Sequence, residues 1–203
     1  TGANHATESV RPPVEWMYYA DKLQILDIHR KFGKIKLRNF PLSHIIKHKF
    51  YLLYIRGIKV IIPLNYFPYI KKDVEKLLID TYDWQTYPQK HFESRFTRFY
   101  EGYWLLKKFG YDSRKPQLSS LILTNQLSRD DALEILETPP LTSEIIRKEF
   151  TYVATKLGIT EEELKIYFNA PNKSYTDYKN QHILYEIGSK ILRIFGFEMD
   201  MRR

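Results

Sequence analysis

The sequence predicts a mostly helical α/β protein. From residue 93 onward, apolar side chains recur at intervals of three and four, which is the spacing of helices that bury one face. Residues 58–64 form a short, nearly continuous apolar run of the kind found in buried strands. With 43% hydrophobic and 15% aromatic side chains among 203 residues, the chain carries enough apolar material for a substantial core.

Two helices are predicted before the strand. Asp21 is placed to cap a helix that ends near Gly33, where a left-handed terminal residue is favoured. Ser43 is placed to cap a second helix over residues 45–56, which Gly57 ends. The apolar faces of these helices comprise Leu23, Ile25, Leu26, Ile28 and Phe32 in the first, and Ile46, Phe50 and Leu53 in the second.

A short helix over residues 71–80 and a loop over residues 83–88 follow the predicted strand. A longer helix is predicted for residues 93–109, ended by Gly110. In this region we expect three aromatic side chains to pack inward: Phe92, Phe96 and Phe99.

The remaining helices have recognisable starts. Ser128 precedes a helix over residues 131–137, and Ser143 heads one that Gly158 ends. Thr160 and Glu163 have the spacing of a capping box. The last predicted helix is amphipathic and uses Ile183, Leu184, Ile187, Ile191 and Phe195.

Composition excludes several classes of protein. The absence of cysteine removes disulfide frameworks, thiolate nucleophiles and Cys-ligated metal sites, and it fits a reducing cytoplasm. No apolar run approaches the roughly 18 residues that a membrane span needs. Residues 50–70 come nearest, and their charged residues leave only a membrane-surface contact open. Because the chain opens on Thr1 and Gly2 in a segment resembling the middle of a domain, we expect it to be part of a longer, cytoplasmic protein.

The positive charge is concentrated in one part of the sequence. The chain carries a formal charge of +8, and residues 28–72 contain eleven Lys or Arg and no Asp or Glu. Such a block attracts the phosphates of a nucleic acid or of small nucleotides, whereas its structural interpretation is a solvated basic face. The sequence leaves both interpretations open.

Three polar segments are candidates for chemistry. Residues 1–9 have the order of a glycine turn entering a helix, where backbone amides can receive phosphate or where side chains simply cap. Residues 90–98 place cations, an imidazole, a carboxylate and hydroxyls within about two helical turns, as an anion site or a salt-bridged face. Residues 112–120 repeat a cationic pair before a proline-led helix.

On a continuous helix, two polar sets in the second segment would each share a face. One is Lys90, Glu93 and Ser94, and the other is His91, Arg95 and Arg98. No metal site is expected, because His44 and His48 lie among lysines with no third ligand nearby.

Taken together, these segments resemble the N-acetyl sugar amidotransferase family of the WbpG/PseA type, over its C-terminal part. The most specific stretch is Lys90-His91-Phe92-Glu93-Ser94-Arg95-Phe96-Thr97-Arg98-Phe99-Tyr100. Further matching positions are Gly2-Ala3-Asn4, Thr7-Glu8, Pro63-Leu64-Asn65-Tyr66, Tyr69, Lys71, Lys107-Lys108-Phe109-Gly110, Asp112, Arg114-Lys115, Leu118-Ser119-Ser120-Leu121 and Ala132-Leu133.

The resemblance implies a PP-loop ATP pyrophosphatase with an adenine nucleotide alpha hydrolase-like, Rossmann-like domain. Residues 1–70 would be the remnant of that nucleotide-binding domain, and residues 71–203 a helical C-terminal region. The implied reaction uses ATP with Mg²⁺ to convert the acetamido group of a nucleotide-linked or acidic N-acetyl sugar to an acetamidino group. Ammonia would come from a partner glutaminase of class I, in the biosynthesis of lipopolysaccharide O-antigen or another surface polysaccharide.

The resemblance also implies roles for individual residues. Lys90 and Arg95 would hold phosphates, and His91 and Glu93 would handle protons or orient the substrate. The residues implied to bind the nucleotide are Gly2, Asn4, Glu8, Ser94, Arg114 and Lys115.

Some positions depart from the family pattern. The SGG-x-DS loop is absent from these residues, Pro88 and Gln89 stand where two glycines are usual, and Gln117 replaces a common histidine. Two rival functions therefore stay open. One is a PP-loop ATPase that modifies transfer RNA, for which the basic block would track phosphates. The other is a truncated, non-catalytic interaction module that docks a partner through its aromatic-rich helices.

Overall fold

The computed structural model describes residues 21–44, 47, 51–52, 55–59, 61, 63–67 and 69–194. The chain divides into two compact units: residues 1–11 with 61–172, and residues 12–60 with 173–203. We call them the first and second unit. The predicted domain boundary at residue 70 stays a prediction.

The described residues are mostly helical, which confirms that part of the predicted fold class. The Rossmann-like assignment of the N-terminal region stays a prediction. The helices are α1 Lys22–Phe32, α2 Lys71–Tyr82, α3 Arg95–Phe99, α4 Leu105–Phe109, α5 Arg114–Leu123, α6 Arg129–Glu137, α7 Ser143–Leu157, α8 Glu161–Asn169 and α9 His182–Ile194, with 3-10 turns at Pro63–Asn65 and Tyr175–Asp177.

The predicted strand at residues 58–64 is wrong for the positions that the structure describes. Ile58 and Ile61 are exposed and have no strand partner, and a 3-10 turn occupies Pro63–Asn65. Proline lacks the amide that a strand ladder requires and fixes its own φ near the helical range. The apolar run is therefore not evidence of a buried strand here.

α3 and α4 are joined into one continuous helical segment by a π turn at Tyr100–Trp104, where the amide of Leu105 donates to the carbonyl of Tyr100. The predicted end at Gly110 is confirmed, since Gly110 has a left-handed φ of 69°. The predicted start is two residues early because Ser94, not an earlier residue, caps the helix by accepting from the Thr97 amide. Only glycine fits at residue 102, since an added Cβ would lie 2.8 Å from Leu141 Cγ.

The core of the first unit is aromatic and lies between α3, the π turn, α7 and α8. The ring centroids of Phe99 and Phe150 are 5.7 Å apart in an edge-to-face arrangement, and Tyr103 stacks on Phe168 at 5.3 Å. Phe92 and Phe99 are buried as predicted. Phe96 is 50% exposed, so its predicted inward packing is wrong.

Local capping follows the sequence closely elsewhere in this unit. Ser128 caps α6, and Thr160 with Glu163 forms the predicted capping box of α8. α7 is capped by Thr142 rather than by Ser143, because the Thr142 hydroxyl accepts from the amide of Ile145. α2 extends to Tyr82, two residues beyond its predicted end.

Two aspartates, one just before α1 and one within it, connect parts of the second unit. Asp21 caps that helix and also accepts from the Gln181 amide just before α9. Asp27 accepts from Arg30, Lys31 and the Lys179 amide, and the Lys31 hydrogen bond is the main cause that lowers its pKa. Gly33 ends α1 with an extended φ of −72°, so the predicted left-handed cap is wrong there.

Between α1 and residue 60, the predicted face of Ile46, Phe50 and Leu53 lies outside the described residues, as does Phe195 at the chain's other end. The Ser43 hydroxyl donates to the His44 carbonyl. Within the described ranges, we find no helix with the length and apolar character needed to cross a bilayer.

Candidate functional site

The strongest candidate site in the first unit is a cluster of His91, Glu101 and Ser113. His91 lies in the turn before α3, Glu101 in the π turn and Ser113 immediately before α5. Three separate segments of the chain therefore contribute one polar side chain each. We call this the histidine–glutamate–serine cluster.

His91 is held in a restrained geometry. Its Nδ1 lies 3.1 Å from Glu101 Oε1, and its side chain is 38% exposed. Its φ of 68° is left-handed, a conformation that few residues other than glycine adopt and that costs conformational energy. A strained backbone that carries a half-exposed imidazole is typical of a functional position, because the surrounding structure must enforce it.

Glu101 is the least exposed member that can carry charge, at 12% of its side chain. Its Oε1 faces His91, and its Oε2 accepts from the Ser113 hydroxyl at 3.4 Å. The π turn provides this position, since the extra residue per turn rotates side chains away from the ordinary helical register. Single π turns within helices occur frequently at functional sites.

Two tyrosines near Glu101 have raised pKa values. Burial raises the pKa of Tyr100, and the Glu101 charge raises it further. Burial likewise raises the pKa of Tyr111, with added effects from the carboxylates of Glu101 and Asp112. Both phenols therefore stay protonated at neutral pH and keep their hydroxyls as donors.

This arrangement can move a proton. A carboxylate only accepts, so its contact at Nδ1 requires the Nδ1–H form of a neutral His91. The Nε2 lone pair is then available to take a proton from a substrate. Glu101 also stabilises the imidazolium that forms, and Ser113 holds the other carboxylate oxygen in place.

The predicted helical face of Lys90, Glu93 and Ser94 does not form. The helix begins only at Arg95, after all three residues. Lys90 is partly buried in the preceding turn and makes contacts within the protein. Glu93 and Ser94 are exposed. The Ser94 oxygen caps α3, which leaves its own hydroxyl hydrogen free to be donated elsewhere.

His91 does not share a helical face with Arg95 and Arg98 either. The two arginines meet instead at Glu149 of α7, whose side chain is only 3% exposed. Arg95 Nε lies 3.0 Å from Glu149 Oε2 and its guanidinium covers the Tyr152 ring at 3.7 Å, while Arg98 donates to Oε1. These contacts anchor α3 on α7.

Arg114 is buried and engaged on all sides by protein acceptors. Its guanidinium makes a bidentate pair with Asp112, with Nη2 2.7 Å from Oδ2. Nη1 donates to the carbonyls of Ile135 and Thr138 at the C-terminal end of α6, where a cation is favoured. The side chain of its neighbour Lys115 is exposed.

The remaining predicted residues fall largely outside this geometry. Gly2, Asn4 and Glu8 lie outside the described residues, as does His48. His44 lies in the second unit, where its ring contacts the Gln181 side-chain amide. In the part of the chain that the structure describes, no cluster of three His, Asp or Glu side chains is suited to a metal ion.

Sequence reasoning missed Glu101, Ser113 and Glu149 as partners. Glu101 is a single acid inside the aromatic run 99–104, and such isolation was a usable signal because a charge in an apolar segment needs a partner. Glu149 gives a similar signal, because it is a charged residue directly before the apolar core residue Phe150. Neither signal names the partner, which only the fold supplies.

Comparison with protein families supplies an independent result. Residues 93–192 match the family model described as LPS biosynthesis protein WbpG-like, C-terminal domain. Residues 93–192 are a WbpG-like C-terminal domain. The resemblance to a WbpG-type C-terminal portion is thus confirmed. No curated protein and no solved structure matches the chain.

The WbpG-like domain contains α3 to α8 and most of α9. Glu101 and Ser113 lie within it, and His91 lies two residues before its first matched position. The cluster therefore combines two residues of this domain with one that lies just before its matched range.

Proposed function

We propose that the chain is part of an ATP-dependent N-acetyl sugar amidotransferase of lipopolysaccharide O-antigen or other surface-polysaccharide biosynthesis. The match of residues 93–192 to the WbpG-like domain carries this proposal. The His91–Glu101 contact supports it, because the reaction needs a positioned group that accepts a proton. The substrate would be a nucleotide-linked or acidic N-acetyl sugar, and a class I glutaminase would supply ammonia.

The reaction replaces the amide oxygen of the sugar by nitrogen. ATP, with Mg²⁺, activates that oxygen as an AMP ester and releases pyrophosphate; ammonia then adds to the amide carbon and AMP leaves with the oxygen. The attacking nitrogen becomes positively charged and must lose a proton before the amidine forms. His91 Nε2 is the group that we assign to this proton, and Glu101 holds the ring and stabilises its charged form.

The described residues fit a polyanionic nucleotide in part. Lys115 offers an exposed ammonium group, and Ser94 retains a hydroxyl hydrogen to donate. Glu93 is exposed next to Ser94 and stays assigned to substrate orientation. Arg114 and Arg95 already bind carboxylates of the protein, so the proposal does not depend on their holding phosphate. Roles for Lys90, Gly2, Asn4 and Glu8 stay predictions.

The experiment is a product analysis with the complete enzyme, meaning the chain with its native upstream sequence. The reactants are ATP, Mg²⁺, an ammonium salt and nucleotide-linked N-acetyl sugars. We expect AMP and pyrophosphate in equal amounts, and a sugar product in which one NH replaces one oxygen, detected by mass spectrometry. AMP formation without a change in the sugar, or no ATP consumption with any N-acetyl sugar, would contradict the proposal.

A non-catalytic interaction module is the second candidate function. The observation that favours it is the internal pairing of Arg95 with Glu149 and of Arg114 with Asp112, since two predicted phosphate ligands then serve the fold. Under this alternative the product analysis shows no turnover while the protein still retains a glutaminase or glycosyltransferase partner on an affinity column.

A further inference from the structure

The net positive charge of the protein belongs to its second unit. Residues 12–60 and 173–203 together contain sixteen Lys or Arg and seven Asp or Glu, a formal charge of +9. The first unit contains sixteen and seventeen, a charge of −1. Several of the second unit's cations are exposed, among them Lys34, Lys36, Lys59 and Lys190. This unit therefore attracts anionic partners over distances of about a Debye length.

The same unit exposes an apolar helix face. On α9, Ile183, Leu184, Ile187, Ile191 and Ile194 lie within about 100° of arc around the helix axis, and all five are exposed. Ile183 is 72% exposed and Ile194 is 80% exposed. Glu186 and Lys190 lie beside this face on the same helix. The pattern is that of an amphipathic helix whose apolar side has no partner among the described residues.

The apolar exposure continues elsewhere in the unit. Phe32 at the end of α1, Ile35 and Phe40 are exposed, and they alternate in sequence with exposed cations. Basic and apolar side chains thus occur together on α9 and in the segment that follows α1. Water solvates the cations well, whereas moving an exposed isoleucine or phenylalanine side chain out of water lowers the free energy.

We infer that the second unit binds the surface of an anionic lipid bilayer, with the α9 face inserted at the headgroup boundary. Amphipathic helices with neighbouring basic residues bind bilayers in this way, combining buried apolar area with attraction to anionic lipid. The described part of α9 has 13 residues, fewer than a bilayer span needs, and the inference places it in the plane of the interface. The inference is independent of the proposed amidotransferase activity.

The charge of the second unit and the side chains of the α9 face favour a bilayer over a second copy of the unit or a nucleic acid as the binding partner. A second copy of the unit would bring +9 against +9, which opposes self-association through this surface. Single-stranded nucleic acid binds through aromatic stacking platforms and cationic grooves, whereas the α9 face is formed by isoleucine and leucine. A protein with an acidic and apolar surface would also complement the charge of the second unit, and vesicle binding distinguishes it from lipid.

The test is co-sedimentation of the purified chain with vesicles. One set contains phosphatidylglycerol mixed with phosphatidylcholine, and the other contains phosphatidylcholine alone. We expect binding to the anionic vesicles that is at least about tenfold tighter than to the neutral ones and that falls as salt is added. Ile187→Asp, which changes a half-exposed residue of the α9 face, should weaken binding to anionic vesicles about tenfold.

Leu133→Asp on α6 is the matched control, because Leu133 and Ile187 are each 50% exposed and Leu133 lies in the first unit. It should leave vesicle binding unchanged. Ile183→Asp is a second variant of the α9 face. It replaces Ile187→Asp if circular dichroism shows that Ile187→Asp is unfolded. Equal binding to both vesicle types, wild-type binding by both face variants, or no binding to anionic vesicles would overturn the inference. The last result would assign the face to an acidic protein partner instead.

Discussion

The Nδ1 atom of His91 lies 3.1 Å from Oε1 of Glu101, across ten residues of sequence that include the start of a helix and a π turn. Glu101 in turn accepts from the Ser113 hydroxyl. The imidazole is therefore fixed at one nitrogen by a carboxylate that is itself fixed. This is the arrangement in which a histidine accepts protons efficiently at its other nitrogen.

Replacing Glu101 by Gln tests its effect on the His91 ring. A glutamine side chain can donate as well as accept, so it no longer requires hydrogen at Nδ1. We expect the ¹⁵N spectrum of the neutral ring to change from mainly the Nδ1–H form to a mixture, and turnover to fall about tenfold. An unchanged spectrum would contradict the positioning role even if turnover fell for another reason.

Glu149 is predicted to stabilise the first unit. Glu149→Gln leaves the two arginines without their buried negative charge, and we expect the free energy of unfolding to fall by about 2 kcal/mol, allowing for the partial exposure of both arginines. Urea unfolding measures this change in the free energy of unfolding. Glu144→Gln is the control, since Glu144 pairs with Lys148 on an exposed helix face and should change stability by less than about 0.5 kcal/mol. Similar losses for both variants would contradict the anchoring role of Glu149.

Arg114 and Lys115 are neighbours in sequence, but we predict a structural role for Arg114 and a role in ATP binding for Lys115. Arg114→Lys keeps the charge but loses the bidentate pair and most carbonyl contacts, so unfolding should become easier by about 2 kcal/mol. Lys115→Gln should leave stability unchanged and weaken ATP binding by the complete enzyme several-fold, measured by calorimetry. Full stability of Arg114→Lys, or unaltered ATP binding by Lys115→Gln, would contradict the respective role.

Asp27 is predicted to make stability depend on pH. The Lys31 hydrogen bond, the Lys179 amide and the nearby Arg30 charge lower its pKa below the ordinary value of 3.8. The resulting stabilisation is fully present above that value and is lost as pH falls through the lowered pKa. Asp27→Asn should therefore destabilise the protein at neutral pH, and its difference from wild type should shrink below about pH 3.8. Asp80→Asn, at an exposed position, is the control; a difference independent of pH would contradict the prediction.

Helix positions and caps were largely predictable because both depend on residues close in sequence. Ser128, Thr160 with Glu163, and Gly110 all act as the local pattern indicates. Residues 58–64 show the limit of that logic, since an apolar run resembles a buried strand whether or not a sheet exists to receive it. The π turn also has no simple sequence signal.

The site was predictable as a region but not as a set of contacts. The polar density of residues 90–98 indicated where chemistry or salt bridges would lie. Their partners, however, lie 10 residues away for His91 and 54 for Arg95. Periodicity places a side chain on a face, but it does not say which distant element packs there, so Glu149 could not be predicted as the partner of Arg95.

Single-turnover kinetics of His91→Asn in the complete enzyme test the central claim most directly. Asparagine tolerates the left-handed backbone of residue 91 and can still donate to Glu101, but it cannot take a proton. With ATP and ammonia saturating and the enzyme in excess over the N-acetyl sugar, we predict that amidine formation slows by about 100-fold while the thermal unfolding midpoint is retained. Amidine formation at the wild-type rate by the folded variant would contradict the assignment of the proton to His91.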